Sequence, residues 1–203
     1  MKKTTLVCCA LLCGAGFLAG AEEQSILKNG DFEQINEVTK GTTPSIMKKV
    51  QAGWDFTPGP IAILPANWSP NTGKAKVRVI DTKETPDQKA NVHSGTRSLY
   101  LENQKMAHLY NGATKIKPGK YKVSVWLKGE GHVILGYYNY SSTNRHMGSG
   151  DCKIGVKPTT EWKEYSAVTE IGKEKPGIGY SFLSIIATRS KLYIDDIKVI
   201  PAE

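Results

Sequence analysis

Lys117-Pro118-Gly119-Lys120-Tyr121-Lys122-Val123-Ser124-Val125-Trp126-Leu127-Lys128-Gly129 is the stretch on which the fold turns. Tyr121, Val123, Val125 and Leu127 share one face of an extended chain, and Lys122, Ser124, Trp126 and Lys128 share the other. A period of two with one apolar side belongs to a β-strand that buries a single face. Pro118-Gly119 opens the strand as a turn, and Gly129 to Gly131 closes it as another. Beyond that turn His132 to Tyr140 repeats the pattern, with Val133, Leu135 and Tyr137 inward and His132, Ile134, Gly136, Tyr138 and Tyr140 outward. Read as a hairpin, the two strands are neighbours, and Trp126, Tyr138 and Tyr140 lie off the core face of both.

Working outward, the same alternation marks strands at Ala75 to Asp81, Thr96 to Glu102, Trp162 to Ile171, Ile178 to Ala187 and Lys191 to Ile200. Asn91 to Gly95, Lys157 to Thr160 and Lys175-Pro176-Gly177 separate them as turns. No long window carries apolar residues at helical spacing. Seven or more short strands at this interval predict an all-β sandwich or barrel. Asn36 to Gly73 is the least regular part, with five prolines and Trp54 and Trp68, and reads as long loops holding short pieces of structure. The rings of Trp54 and Trp68 either plug an end of the sandwich or serve as loop-borne binding residues, and Trp162, at the start of a strand, is expected in the core.

The first residues form a different unit. Met1, Lys2 and Lys3 precede a 13-residue uncharged run, Leu6 to Leu18, and Ala19-Gly20-Ala21 supplies small residues for cleavage. This is the pattern of a secretory signal peptide, too short to span a bilayer. Cleavage is predicted after Ala21, leaving a single 182-residue domain, 22–203, that is secreted or periplasmic and not inserted in a membrane. Removal takes two lysines and leaves 25 Lys and Arg against 19 Asp and Glu, a net charge of +6 in place of +8. Three of the four cysteines leave with the segment, so Cys152 has no intramolecular partner.

Composition and motifs remove several classes of function. The chain has 39% hydrophobic and 23% charged residues, the balance of a globular domain rather than of a disordered or fibrous one. It has no Gly-x-Ser-x-Gly, His-Glu-x-x-His or phosphate-binding glycine loop, and His93, His108, His132 and His146 lack metal-site spacing, so no enzyme is expected. Nucleic acid is not an expected partner, since no recognition-helix, zinc-finger or ribonucleoprotein motif occurs. The positive charge either favours acidic partners such as sulfated or sialylated glycans or is a solubilising face. Asn67-Trp68-Ser69 and Asn139-Tyr140-Ser141 match the N-glycan acceptor pattern.

Five segments in order carry a resemblance. Ile26-Leu27-Lys28-Asn29-Gly30-Asp31-Phe32-Glu33, Pro65-Ala66-Asn67-Trp68, His93-Ser94-Gly95-Thr96-Arg97-Ser98-Leu99-Tyr100, the Pro118-Gly119 strand and Leu192-Tyr193-Ile194-Asp195-Asp196-Ile197 together span residues 26 to 200. They resemble the carbohydrate-binding modules of families 4, 9 and 22. The resemblance implies a galactose-binding-like jelly-roll sandwich and a secreted, non-catalytic glycan- or polysaccharide-binding module; the alternative is a structural or adhesion module of the cell envelope that binds another protein.

The resemblance also implies a structural calcium ion (Ca2+) pinning the first strand to the last, with Asp31, Glu33 and Asp196 as the matching ligands and Asp195 as a further acid. Carboxylates and carbonyls from two distant segments are the hard oxygen donors calcium takes; the alternative is that these acids are solvated or hydrogen-bond nearby amides. For the glycan, Trp126, Tyr138 and Tyr140 are the candidate stacking rings, with His132 and Arg145 adding polar contacts at the ends. An exposed ring offers apolar area in a fixed shape at little entropic cost, although aromatics also favour strands for packing alone.

Overall fold

A computed structural model describes residues 24–39, 44–56 and 61–203. The signal segment and its cleavage site lie outside these residues. Among the described residues, ten strands and one α-helix follow in the order β1 (Ile35–Thr39), α1 (Pro44–Gln51), β2 (Ile61–Pro65), β3 (Trp68–Gly73), β4 (Lys76–Asp81), β5 (Arg97–Glu102), β6 (Met106–Asn111), β7 (Gly119–Tyr140), β8 (His146–Val156), β9 (Lys163–Ile171) and β10 (Tyr180–Pro201), with a 3-10 turn at Pro86–Asn91 between β4 and β5. The fold is an all-β sandwich, as the alternation predicts, with the jelly-roll arrangement that the resemblance implies.

Two 22-residue strands, β7 and β10, run antiparallel to each other through both layers. Their halves Gly119–Glu130 and Lys191–Pro201 form the centre of one layer, ordered β4-β5-β10-β7-β9. Their other halves, His132–Tyr140 and Tyr180–Thr188, form the centre of the second layer, ordered β3-β6-β10-β7-β8. Gly129 to Gly131 is therefore a bend within one strand and not a hairpin turn, and the two strands expected there do not lie side by side. The same holds for Ile178 to Ala187 and Lys191 to Ile200, which are one strand with a register shift between Thr188 and Lys191. Where the bends meet, Gly131 has φ +112°, and a Cβ there would stand 2.5 Å from the Ser190 Cα. Only a glycine lets the two chains cross that closely.

The core fills the space between the layers. Val123, Val125 and Leu127 from one half of β7 and Val133 and Leu135 from the other are fully buried, alongside Leu183, Ile185, Leu192 and Ile194 of β10. Trp54 and Trp68 are buried as well, so these rings plug the sandwich. Trp162 departs from expectation: it is only half-buried, outside the core, with its indole N–H donated to the Ala90 carbonyl. Cys152 is buried and unpaired, and burial pushes its thiol pKa up.

The opening motif is tied down without forming a regular strand. Ile26 N–H donates to the Val199 carbonyl and Ile197 N–H to the Gly30 carbonyl. The Asn29 amide donates to the carbonyls of Gln34 and Ala66, and the Trp68 indole donates to the Asn29 carbonyl. Phe32 is fully buried against Trp68 at 5.5 Å. Among the described residues no helix is long and apolar enough to cross a membrane.

Candidate functional site: an aromatic sheet face with a cationic end

The outer face of the second layer follows from register. Residues opposite one another in antiparallel strands point the same way, so Met106, Thr188 and His132 form one row, His108, Ile186 and Ile134 the next, then Tyr110, Ser184 and Gly136, then Phe182 with Tyr138, and Tyr180 with Tyr140. At six residues the distance from the His132 row to the Tyr138 row is about 20 Å. Gly136 and Ser184 give the middle of the face a low floor. Tyr110 rises on the β6 side of it, and Ser149 and Asp151 of β8 pair with Tyr138 and Gly136 on the other.

Most of the rings contact one another edge-on or tilted, and one pair stacks face to face. Tyr110 is T-shaped to Tyr138 at 6.5 Å, Tyr140 is edge-on to Phe182 at 5.5 Å, and His146 lies 5.5 Å from Tyr140 and 6.2 Å from Tyr138. Tyr140 stacks on Tyr180 at 5.6 Å, and Lys115 Nζ sits 4.5 Å over the Tyr180 ring. His108 Nδ1 lies 2.8 Å from the Tyr138 hydroxyl and fixes that ring; burial lowers the His108 pKa and favours the neutral imidazole. Tyr110, Tyr138, Tyr140 and Phe182 all remain half-exposed. An array of rigid, partly exposed rings over a floor of small residues suits flat ligands with apolar faces and hydroxyl edges.

The expected site residues divide between two surfaces. Tyr138 and Tyr140 belong to this face, His132 lies at its bend end, and Arg145 lies at the opposite end in the exposed Ser141–Arg145 turn, its guanidinium 3.6 Å from the Met147 sulfur. Trp126 belongs to the outer face of the other layer, opposite Asp195 and Glu164. His93 stacks on it at 3.7 Å and Trp162 stands edge-on to His93 at 5.7 Å. The grouping of Trp126 with the tyrosines rested on the hairpin reading and goes with it. Tyr110, Phe182, Tyr180 and His146 were missed. Tyr180 and Phe182 share the outward phase of an expected strand, and Met106–His108–Tyr110 alternates with buried Ala107 and Leu109. Asn139 is buried and accepts the Ser181 hydroxyl at 2.6 Å, so its acceptor pattern is closed in the folded chain.

The acids expected at a calcium ion are engaged by protein donors. Glu33 accepts the amides of Thr96 and Arg97 and the Thr96 hydroxyl, all within 2.8 Å. Asp196 accepts from the Ser94 hydroxyl and lies 2.7 Å from His93 Nδ1, while Asp195, fully buried, accepts the amides of His93, Ser94 and Asp196. Asp31 and Asp196 share a small cavity with Lys198, but Glu33 does not line it. Among the described residues no three His, Cys, Asp or Glu side chains converge on one point. Hydrogen bonds from protein donors thus occupy Glu33 and Asp196, and backbone hydrogen bonds tie the first segment to the last strand. Burial and the adjacent Asp196 charge push the Asp195 carboxyl up to about 7, against the pull of its three N–H donors.

No protein-family model matches the sequence, and no curated protein does. Solved structures match the fold. The chain superposes with a TM-score of 0.51 and 16% identity on an arabinose-bound α-L-arabinofuranosidase, covering 88% of this chain and 26% of that one. With the CBM22-1–GH10 modules of the Clostridium thermocellum endo-1,4-β-D-xylanase 10B, complexed with xylohexaose, the TM-score is 0.50 and identity 19%, over 68% of this chain and 26% of that one. A cyclase from Fischerella sp. TAU gives 0.50 and 15%, over 87% of this chain and 96% of that one. The chain thus spans about a quarter of the two glycoside hydrolase structures. At these identities the likeness establishes the jelly-roll sandwich and leaves function to the site.

Proposed function

We propose that this chain is an exported, non-catalytic carbohydrate-binding module that takes a polysaccharide chain along the outer face of the β3-β6-β10-β7-β8 layer. The observation that carries the reading is the row of half-exposed rings Tyr110, Phe182 and Tyr138 beside the low floor of Gly136 and Ser184. Sugar rings would stack on the aromatics, and hydroxyls would meet the polar edge of Ser149, Asp151 and His146. Neither a nucleophile paired with a base nor a metal enters this account; recognition alone needs a pre-formed groove and rigid rings. The fold likeness to the xylanase modules complexed with xylohexaose supports a glycan ligand by analogy.

An adhesion module binding an envelope protein would be served by one broad apolar patch. The exposed large apolar residues among those described are Ile26, Met47, Val50, Ile61, Met106 and Val168, spread over five segments. Affinity electrophoresis of residues 22–203 through gels containing xylan, galactan or other neutral polysaccharides tests the proposal. Retardation by one of them that is lost in Tyr138→Ala supports it. Unretarded migration in every gel contradicts it and returns weight to a protein partner.

A further inference from the structure

At its bend end the proposed binding face opens into a cavity of about 720 Å³, lined by Lys105, Met106, Gly131, His132, Lys157, Thr188 and Arg189. Three full cations and a histidine line it, and no carboxylate does. None of the three cations takes part in an ion pair within 4 Å among the described residues. All three are exposed.

Their convergence is built by the fold. Met106, Thr188 and His132 are the last row of the aromatic face, and the strands that carry them bend immediately beyond it. Lys105 precedes β6 and its carbonyl accepts the Arg189 amide at 3.1 Å; Lys157 follows the end of β8, whose Val156 pairs with Val133 next to His132. Arg189 itself has φ +47°, a left-handed conformation that a side chain other than Gly, Asn or Asp seldom adopts. Asn103 holds the kink, its Oδ1 accepting the Ser190 amide at 2.8 Å and its Nδ2 donating to the Ala187 carbonyl at 2.7 Å.

Resting on the glycan-binding reading above, we infer that the ligand is an anionic polysaccharide, whose neutral ring faces lie on Tyr110, Phe182 and Tyr138 while carboxylate or sulfate groups reach Lys105, Lys157 and Arg189. The groove supplies stacking at one end and uncompensated positive charge about 20 Å away at the other, so the complementary molecule is an extended chain with sugar faces and pendant anions rather than a small anion. Arginine offers a planar fork to either oxyanion, and lysine a point charge. Acids do occur around the bend, with Glu102 and Glu130 lining a separate cavity that Arg189 also touches, but neither faces the groove.

The test is titration calorimetry of residues 22–203 against matched pairs on a common backbone: unsubstituted xylan and glucuronoxylan for carboxylate, and a galactan and its sulfated derivative for sulfate, each at 20 and 200 mM salt. At the lower salt the anionic member of one pair should bind about tenfold tighter than its neutral partner, and the gap should close at the higher salt as screening takes over. The variant K105Q/K157Q/R189N should lose the preference while keeping the neutral affinity and the melting temperature; Asn is used at 189 because it tolerates the left-handed backbone. Equal affinities for both members of each pair, or a preference unchanged in the triple variant, overturn this inference and leave the glycan reading standing. Absence of binding to all four polymers overturns both.

Discussion

The imidazole of His93 lies flat on the indole of Trp126, with ring centroids 3.7 Å apart and planes 17° apart, while its Nδ1 reaches the Asp196 carboxylate at 2.7 Å. The turn that follows Pro86–Asn91 is thereby clamped onto the outer face of the first layer, with the Asp195 carboxylate underneath accepting the amides of His93 and Ser94. A ring used in this way is part of the scaffold.

Trp126→Ala should consequently cost stability and not ligand. Losing the stacked pair and half-buried area is worth about 1–3 kcal/mol, a fall of roughly 5 °C in a domain of this size. Calorimetric melting, together with polysaccharide retardation equal to that of the parent chain, checks it. Retardation lost at an unchanged melting temperature would place the binding surface on the first layer.

Asp195 carries a pH signature. Its folded pKa lies near 7, above the ordinary carboxylate value, because burial and the Asp196 charge disfavour the ionised form. The folded state then holds the proton more tightly than the unfolded chain. The stabilisation is complete below about pH 4 and is lost as pH rises through about 7. Asp195→Asn does not titrate, so the parent's stability measured relative to this variant should decline between pH 4 and 7 and level off above pH 8. An increase over that window would mean that the three N–H donors outweigh burial. His93 and Asp196 neighbour this carboxylate, and measuring both chains in a His93→Gln background takes the imidazole out of the comparison.

Calcium should leave the melting temperature unchanged. Glu33 accepts three hydrogen bonds from Thr96 and Arg97, and Asp196 is engaged by His93 and Ser94. An ion present at a hundred times its dissociation constant would add about 2.7 kcal/mol, so melts in chelator and in excess calcium that coincide within about 1 °C fit this arrangement. A rise of several degrees in calcium contradicts it.

Gly131→Ala tests the crossing of the two long strands. Its Cβ would meet the Ser190 Cα and side chain and the Arg189 carbonyl, all inside 2.8 Å, and the backbone is left-handed in φ. Separation of the bends should cost about 2–3 kcal/mol, read as a lower denaturation midpoint at unchanged slope. A midpoint within error of the parent would show that the bends do not bear on one another.

Much of this architecture is legible in the residues. The inward phase of Tyr121, Val123, Val125, Leu127, Val133, Leu135 and Tyr137 is the observed core face, because side-chain alternation is a local property of an extended chain. Gly129 to Gly131 misleads because glycine serves equally in a hairpin turn and in a strand that must bend past another, and only the partner, Ser190, decides between them. β8 is invisible for a related reason: His146 to Val156 contains three glycines and reads as loop, yet Gly150 is small because the Tyr137 ring lies against it, where a Cβ would come within 2.5 Å. The candidate binding face is half legible. Tyr138 and Tyr140 follow from phase, whereas Tyr110, Phe182 and the Lys105–Lys157–Arg189 cluster come together only through the register of strands distant in sequence.

The central claim is that a sugar chain lies on the second layer's outer face. Backbone amide and aromatic resonances recorded while a neutral oligosaccharide of a retained polymer is titrated in would test it most directly. The account predicts that the signals of Tyr110, Gly136, Tyr138 and Phe182 move together with one dissociation constant, while those of His93, Trp126 and Trp162 stay in place. Shifts confined to His93, Trp126 and Trp162, with the tyrosine face unmoved, would contradict it.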